Sequence, residues 1–246
     1  MKLVGRLLLA HRGWRYRTRV DPDEIRWMRS VLRRGDLAVD IGAYKGGYTY
    51  WMRHAVGESG SVFAFEPQPT LASYLRQCVR DFGWRNVRVE EAALSSQVGA
   101  RVLRLPGHVP SPGASVVGAS LPDGGDAYEV RAETLDRFLE TEAPGTPVRL
   151  IKCDVEGHEL DVLAGAALTL AAYRPLLLVE CEARHLQGHS MRDVFAHLEA
   201  LGYRGSFFRS GERLDVSAFD VDRHQVEGRR PYSNNFVFEP AEAVGQ

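Results

Sequence analysis

Long apolar runs are missing from this chain. The longest, residues 7–10 and 176–179, are far too short to cross a lipid bilayer, which takes about 20 consecutive apolar residues. The N-terminal residues are basic and apolar, but they lack the length of a secretory signal and a cleavage-like site after it. We therefore expect a cytoplasmic protein without a membrane span.

Cysteine is scarce as well. Cys78, Cys153 and Cys181 are an odd number with no close pair, which argues against a disulfide framework and a zinc knuckle. Hydrophobic residues make up 44% and charged residues 26% of the 246, which is ordinary for a globular protein and excludes a disordered or fibrous chain. This length indicates one large domain with insertions, or a domain with an extension.

Charge is distributed unevenly. Residues 1–34 carry ten Lys or Arg against three acids, whereas the remainder carries 21 basic against 29 acidic residues, a net of −8. Such a basic segment could contact phosphate, nucleic acid or an acidic surface. A solvated helix and arm is the simpler interpretation, because no aromatic-interleaved RNA motif accompanies it. We interpret residues 1–35 as a basic N-terminal extension with a helix at 23–33, and 36–246 as the main domain.

Short apolar runs alternate with helical patterns in the main domain. Strands are predicted at 37–41, 61–65, 87–90, 148–153 and 176–179, helices at 47–55, 70–82, 158–172 and 191–201, and two apolar-aromatic segments at 203–208 and 236–238 close the pattern. Repeated strand–helix–strand order predicts an α/β fold, with a mostly parallel sheet covered by helices on both faces.

A segment rich in proline and glycine, residues 106–127, interrupts this alternation. It cannot be a regular element, and a long loop of this kind inside a compact domain is usually functional. Its flanks, 100–105 and 128–132, are predicted to pair as antiparallel strands. We expect an inserted hairpin at about 100–132 that acts as a lid over the substrate.

The first predicted strand ends in a glycine-rich turn that begins with an acid. Asp40 precedes Gly42, Gly46 and Gly47 in a G-x-x-x-G-G pattern, not the G-x-G-x-x-G of dinucleotide-binding proteins. An acid at this position would repel a pyrophosphate but suits a positively charged amino or sulfonium group. S-adenosylmethionine carries both of these cationic groups. Glu66, at the end of the second strand, suits the two hydroxyls of a ribose, because a carboxylate accepts two hydrogen bonds.

A third motif, K-C-D-V-E-G-H-E at 152–159, follows the predicted strand at 148–153. Together, D-I-G-A-x-x-G-x-Y-T from residue 40, E-P-x-P from residue 66 and this motif resemble the FkbM family of S-adenosylmethionine-dependent methyltransferases. The resemblance covers roughly residues 36–240, and the segment 234–238 is similar to the closing strand of the family. Tyr44 departs from the family, which often carries Asn there.

The resemblance implies a class I methyltransferase (Rossmann-like) fold of seven strands, the last antiparallel, in which 36–246 is the catalytic domain. It implies the cofactor S-adenosylmethionine, and a hydroxyl of a sugar, glycan or macrolide-like secondary metabolite as the acceptor. It further implies site roles for seven residues: the methionine portion at Asp40, Gly42 and Ala43, the ribose at Glu66 with Pro67, and the adenine beside Glu91 and Ala92.

Transfer to an alcohol needs a positioned base or a metal ion, because an alcohol is a poor nucleophile. Lys152, Asp154 and Glu156 alternate along the strand end and point to one side, so we expect them to converge at its mouth. His158 is the simplest general base, since its ordinary pKa is nearest neutrality.

A magnesium ion held by Asp154, Glu180 and Glu182 is the alternative to a general base. The two glutamates could instead orient substrate hydroxyls. His185 and His189 are predicted to be ordinary loop residues, because Gly188 between them disfavours a helical metal pair.

The sequence is also compatible with three other classes of protein: a methyltransferase for RNA or another small molecule, an NAD-dependent oxidoreductase, and a non-catalytic nucleotide-binding protein. The missing dinucleotide fingerprint and the acid Asp40 disfavour the oxidoreductase. A scaffold without turnover has no need of the five motif residues that occur together here, Asp40, Glu66, Asp154, Glu156 and His158. We expect a small-molecule or glycan partner rather than nucleic acid, and a homodimer is compatible with the sequence.

Overall fold

The computed structural model describes residues 2–105, 110–111, 113–118, 127–186 and 188–241. In chain order the strands are β1 Leu37–Ile41, β2 Ser61–Phe65, β3 Val87–Glu90, β4 Ala93–Leu94, β5 Gly99–Arg104, β6 Ser115–Gly118, β7 Ala127–Glu133, β8 Val148–Cys153, β9 Leu176–Glu180, β10 Tyr203–Arg209, β11 Glu212–Asp215 and β12 Asn235–Pro240. The helices are α1 Lys2–Arg15, α2 Pro22–Val31, α3 Gly47–Val56, α4 Pro69–Phe82, α5 Leu135–Glu142, α6 Glu159–Ala164, α7 Ala167–Tyr173, α8 Met191–Ala200 and α9 Val221–His224. Helix α1 continues into a π-helical turn, Tyr16–Val20.

The main sheet has the order β11-β10-β12-β9-β8-β1-β2-β3. Strands β1, β2, β3, β8 and β9 are parallel, and β12 is antiparallel to both of its neighbours, β9 and β10. This arrangement confirms the predicted mixed α/β fold with an antiparallel last strand. The expectation of seven strands was wrong by one, because β11 pairs with β10 as an additional edge hairpin.

Helices cover both faces of the main sheet, as predicted. On one face Phe65, Ile151 and Phe236 pack with α5, α6, α7 and α8; on the other, Val62 and Leu150 pack with α2, α3 and α4. Strand β1 is buried along its whole length, because it lies at the centre of the sheet with helices above and below. The carboxyl ends of the parallel strands therefore meet at one edge of the sheet.

The predicted helix at 158–172 is two short helices, α6 and α7. The break occurs around Gly165, where a Cβ atom would lie 2.0 Å from the backbone oxygen of Ser95. Glycine is unfavourable inside a helix, and the missing side chain of Gly165 lets the backbone of Ser95 approach closely.

The flanks of the interrupting segment pair as predicted. Strand β5 is antiparallel to β7, and a smaller sheet forms with the order β4-β7-β5-β6. Residues 106–109, 112 and 119–126 of the predicted lid lie outside the described residues.

Helix α1 was not predicted from the sequence. It carries no acid in its first turn and contains Gly5 and Gly13, both unfavourable for an isolated helix. Packing supplies its stability: Leu9 is fully buried, the indole Nε1 of Trp51 donates to the Gly13 carbonyl at 2.7 Å, and Arg12 donates to the carbonyl of Lys45 at 3.0 Å. Among the described residues, no helix combines the length and the hydropathy that a bilayer span requires.

Truncation of Leu9 tests whether α1 folds as part of the main domain. We expect Leu9→Ala to lower the free energy of unfolding by about 2–5 kcal/mol in urea denaturation, because it leaves a cavity at a fully buried position. Leu8→Ala is the matched control: its side chain is half exposed on the same helix, and we expect a change within about 0.5 kcal/mol. Equal, small effects would mean that residues 1–35 are a loosely attached extension.

Candidate active site

A cavity opens at the carboxyl ends of β1, β2 and β8. The space that it comprises, with its open mouth included, is about 760 Å³. Its walls are the glycine-rich turn after β1, the end of β2, the segment 92–94, strand β6 and the end of β8. This is the edge where open α/β sheets bind ligands.

The glycine-rich turn lies very close to the end of β8. Gly42 has φ +75°, and a Cβ atom there would lie 1.7 Å from the Asp154 carbonyl oxygen. The backbone N–H groups of Gly42 and Ala43 both donate to the carbonyl of Phe65, at 3.0 and 2.9 Å. The ends of β1, β2 and β8 are thus joined by backbone contacts that only glycine permits at position 42.

Glu66 lies in the cavity wall with only 2% of its surface exposed. Its Oε2 accepts from the backbone N–H of Tyr44 at 2.8 Å, and its Oε1 accepts from that of Gln68 at 2.9 Å. Burial raises the pKa of Glu66 to about 7, and these two N–H groups limit the rise. Each carboxylate oxygen keeps a second lone pair, so both can accept a ligand hydroxyl.

The segment proposed to contact adenine is brought to the cavity only in part. Ala92, Ala93 and Leu94 line it, as does Pro67. Glu91 does not line it; its Oε2 accepts from Arg76 at 2.9 Å. An apolar wall without a carboxylate suits the face of an aromatic base.

Asp40 is buried at the base of the turn with 1% of its surface exposed. Its Oδ2 accepts from the hydroxyl of Thr49 at 2.5 Å, while its Oδ1 has no hydrogen-bond partner among the described residues. Buried carboxylate oxygens without a partner are costly. Asp40 lines the cavity, so a carboxylate with an unpartnered oxygen forms part of its wall.

Lys152 lies beneath the cavity with 2% of its surface exposed. Its Nζ donates to Oδ2 of Asp154 at 2.7 Å and lies 4.7 Å from the centre of the Tyr48 ring. Burial acts to lower the pKa of Lys152, but the carboxylates of Asp154 and Asp40 outweigh it and hold that pKa above its usual value. Lys152 therefore stays protonated and cannot accept a proton at neutral pH.

Three acids meet at the mouth of β8 and β9. Asp154, Glu156 and Glu180 can each place one oxygen within 4.8 Å of the others. Burial and then the Asp154 carboxylate raise the pKa of Glu156 to about 8, and burial raises that of Glu180 well above its ordinary value. Lys152 donates to one of these three acids, Asp154, and so brings a buried positive charge to the group.

Glu182 is not part of this acid group. It accepts from the hydroxyl of Tyr232 at 2.8 Å and from the side-chain amide of Asn234 at 3.0 Å, and it pairs with Arg184. The predicted magnesium set is therefore brought together only in part, with Glu156 in the place of Glu182. Glu182 instead ties the segment after β9 to residues 232–234.

Two histidines, His158 and His185, lie at the site in different surroundings. The Nε2 of His158 lies 3.0 Å from the Ser95 hydroxyl and its Nδ1 lies 3.5 Å from Asp161, so both ring nitrogens have protein neighbours. His158 lines the cavity, and burial lowers its pKa. His185, expected to be an ordinary loop residue, has its Nδ1 against the Glu156 carboxylate without a hydrogen-bond geometry, and burial lowers its pKa as well.

The sequence analysis also missed two aromatic residues in the cavity wall, Tyr16 and Tyr48. The ring of Tyr16 lies directly on Gly47, where a Cβ atom would approach it to 2.6 Å. Tyr48 donates its hydroxyl to Asp21 at 2.9 Å. Nothing in local spacing marks Tyr16, because it reaches the site only through the packing of α1.

The described part of the interrupting segment covers the cavity. Gln68 exchanges two hydrogen bonds with the backbone of Ser111, at 2.9 and 3.0 Å, and the Ser115 hydroxyl donates to the carbonyl of Glu156 at 2.5 Å. Ala114 and Val116 line the cavity directly. The segment is therefore attached both at the end of β2 and at the acid group.

Substitution of Gly42 tests the contact between the turn and β8. We expect Gly42→Ala to lower the free energy of unfolding by about 1–3 kcal/mol more than Gly83→Ala, because its Cβ would displace the backbone at Asp154. Gly83 is the matched control, with φ +70° and no atom within 4 Å of a Cβ, so it reports only the left-handed strain. Chemical denaturation measures both, and equal losses would show that the turn is not held against β8.

Comparison with known proteins agrees with this geometry. A family model described as "Methyltransferase FkbM domain" matches residues 40–204. The structure of methyltransferase FkbM from Methylobacillus flagellatus superposes with a TM-score of 0.53 at 15% identity, covering 87% of this chain and 50% of that one. The SMU.1697c protein of Streptococcus mutans, in complex with SAH (S-adenosylhomocysteine), superposes with a TM-score of 0.51 at 10% identity, covering 88% and 94%.

One curated sequence is similar over a short stretch. Ribosomal RNA large subunit methyltransferase E of Hydrogenovibrio crunogenus is 35% identical over 57 residues, which is 23% of this chain and 28% of that protein. The chain thus matches little more than a quarter of this relative and half of the FkbM structure. Since the family model spans more than half of the residues, the chain belongs to the methyltransferase FkbM domain family.

Proposed function

We propose that the protein transfers a methyl group from S-adenosylmethionine to a hydroxyl of a sugar, glycan or macrolide-like acceptor. One observation carries the cofactor assignment: a single cavity contains a buried acid with an unpartnered oxygen, a glycine turn and a second acid with free lone pairs. These features suit an amino acid portion, a close backbone approach and a ribose. The bound cofactor supplies an already activated methyl group.

Different residues of the cavity bind different parts of the cofactor. Asp40, Gly42 and Ala43 hold the methionine portion, and Glu66 accepts both ribose hydroxyls with Pro67 beside it. Ala92, Ala93 and Leu94 cover the face of the adenine. Glu91 has no part in this contact, because it pairs with Arg76 and does not line the cavity.

The proton of the acceptor hydroxyl goes to the pair formed by Glu156 and His185. A pKa of about 8 places Glu156 near the operating pH, where a base is most effective, and the lowered pKa of His185 leaves its ring neutral. Asp154, held by Lys152, orients the acceptor hydroxyl. His158 remains the second candidate base, although its ring nitrogens face Ser95 and Asp161.

A magnesium route would use Asp154, Glu156 and Glu180 as oxygen ligands. It is the alternative to proton uptake by Glu156 and His185, and a chelator separates the two. Turnover that is lost in chelator and restored by magnesium would replace the general-base proposal.

Screening acceptors tests the reaction itself. We expect labelled methyl groups to pass from S-adenosylmethionine to hydroxyl-bearing glycans or macrolide-like compounds, with a methyl ether in the product by NMR. RNA oligonucleotides and NAD belong in the same screen. Methylation of RNA alone, or reduction of NAD with a hydroxylated substrate, would overturn the proposal.

Binding of 5′-methylthioadenosine isolates the role of Glu66, because this compound has the ribose and adenine but no amino acid portion. We expect Glu66→Gln to bind it about tenfold more weakly, since two hydrogen bonds to a charged acceptor become weaker. The affinity of the wild type for 5′-methylthioadenosine should increase as the pH is raised through about 7, because Glu66, with a pKa of about 7, becomes ionised there.

The same ionisation predicts the sign of a stability change without ligand. Folded Glu66 keeps its proton up to about pH 7, whereas the unfolded group loses it near 4.5, so Glu66 lowers stability as the pH rises through this window. A pH-independent affinity in the wild type, or equal affinities of wild type and Glu66→Gln in calorimetry, would remove Glu66 from the ribose site.

Paired substitutions distinguish the two candidate bases. We expect His185→Gln to lower kcat roughly a hundredfold with unchanged cofactor affinity, because it removes a proton acceptor at the mouth. His158→Gln is the comparison and should mainly weaken cofactor binding, because His158 lines the cavity. The reverse result, with kcat lost only in His158→Gln, would assign the base to His158.

A further inference from the structure

The outer face of α1 exposes an apolar ridge. Val4 and Leu7 are each 60% exposed, Leu8 is 51% and Trp14 is 48% exposed. Their spacing of three and four residues places them on one side of the helix, opposite to the buried Leu9 and Gly13. The helix is therefore apolar on both sides, and only the inner side packs against the domain.

Positive charge surrounds this ridge. Residues 1–20 contain six Lys or Arg and no Asp or Glu. Arg15, Arg17 and Arg19 are exposed, and none of them forms an ion pair with a carboxylate in the described part of the chain. The guanidinium of Arg19 lies 5.5 Å from the centre of the Trp14 ring, so charge and apolar surface are directly adjacent.

The partner of such a face must be apolar and anionic at once. A nucleic acid offers phosphates but no surface that would bury three aliphatic side chains. A second copy of the same helix would bring like charges against one another. The boundary of an anionic lipid bilayer offers both features, because it buries leucine and tryptophan in the acyl region and attracts arginine at the head groups.

We propose that the outer face of α1 docks the protein on the surface of anionic membranes. The helix lies parallel to the bilayer, with Val4, Leu7, Leu8 and Trp14 inserted below the head groups and the arginines among them. Leu9, Gly13 and Arg12 hold the helix on the domain, and this attachment keeps the outer face free for the lipid. The docking requires no methyl transfer, so it can be tested independently of the proposed reaction.

Vesicle flotation tests this docking with the whole chain. We expect binding to phosphatidylcholine vesicles that contain about one third phosphatidylglycerol, no binding to phosphatidylcholine alone, and weaker binding in high salt. The double substitution Leu7→Glu with Leu8→Glu should lower vesicle affinity at least about tenfold, because it places charge where the acyl region is. Leu168→Glu is the matched control at a leucine 73% exposed on α7, and should bind as the wild type does.

Three results with vesicles would overturn the proposal. They are failure of the wild type to float, equal binding to neutral and anionic vesicles, and full binding by the double variant. Capture of an RNA oligonucleotide in place of vesicles would assign the face to nucleic acid. A dimer in light scattering that the double variant dissociates, without vesicle binding, would assign it to a second copy. Urea denaturation of each variant checks that it has folded.

Discussion

The buried ammonium of Lys152 is the interaction on which the site depends. It lies under the centre of the strand edge, bonds to Asp154 and faces Asp40, and so brings one positive charge to a group of buried acids. Without it, the buried carboxylate of Asp40 and the partly buried carboxylate of Asp154 would lack this positive charge, a costly arrangement. The carboxylate of Asp154 acts on both neighbours: it holds the pKa of Lys152 above its usual value, and it adds to the rise that burial causes in the pKa of Glu156.

The cavity and the acid group beside it differ in their chemistry. On the side of β1 and β2, hydrogen bonds from Thr49 and from backbone N–H groups fix the orientation of Asp40 and Glu66, which suits hydrogen-bond acceptors for a cofactor. At the mouth of β8 and β9, the Glu156 carboxylate lies against His185 and has a pKa of about 8, which suits a group that gains and loses a proton. The segment around Ser115 covers both regions.

Much of the fold could be predicted from the sequence, because buried parallel strands are short apolar runs bounded by glycine, proline or charge. Strands β1, β2, β3 and β8 have their predicted bounds. The motif residues at strand ends were also found, since parallel strands bring their carboxyl ends to one edge. What could not be predicted depends on contacts distant in sequence: the break at Gly165, the position of Tyr16 over Gly47, and the contact of His185 with Glu156.

Calorimetric titration with S-adenosylhomocysteine and with NAD tests the central claim most directly, that this cavity is built for an adenosyl cofactor with an amino acid portion and not for a dinucleotide. The account predicts saturable binding of S-adenosylhomocysteine and no heat from NAD, because Asp40 accepts an amino group and repels a pyrophosphate. Binding of NAD with no response to S-adenosylhomocysteine would contradict it.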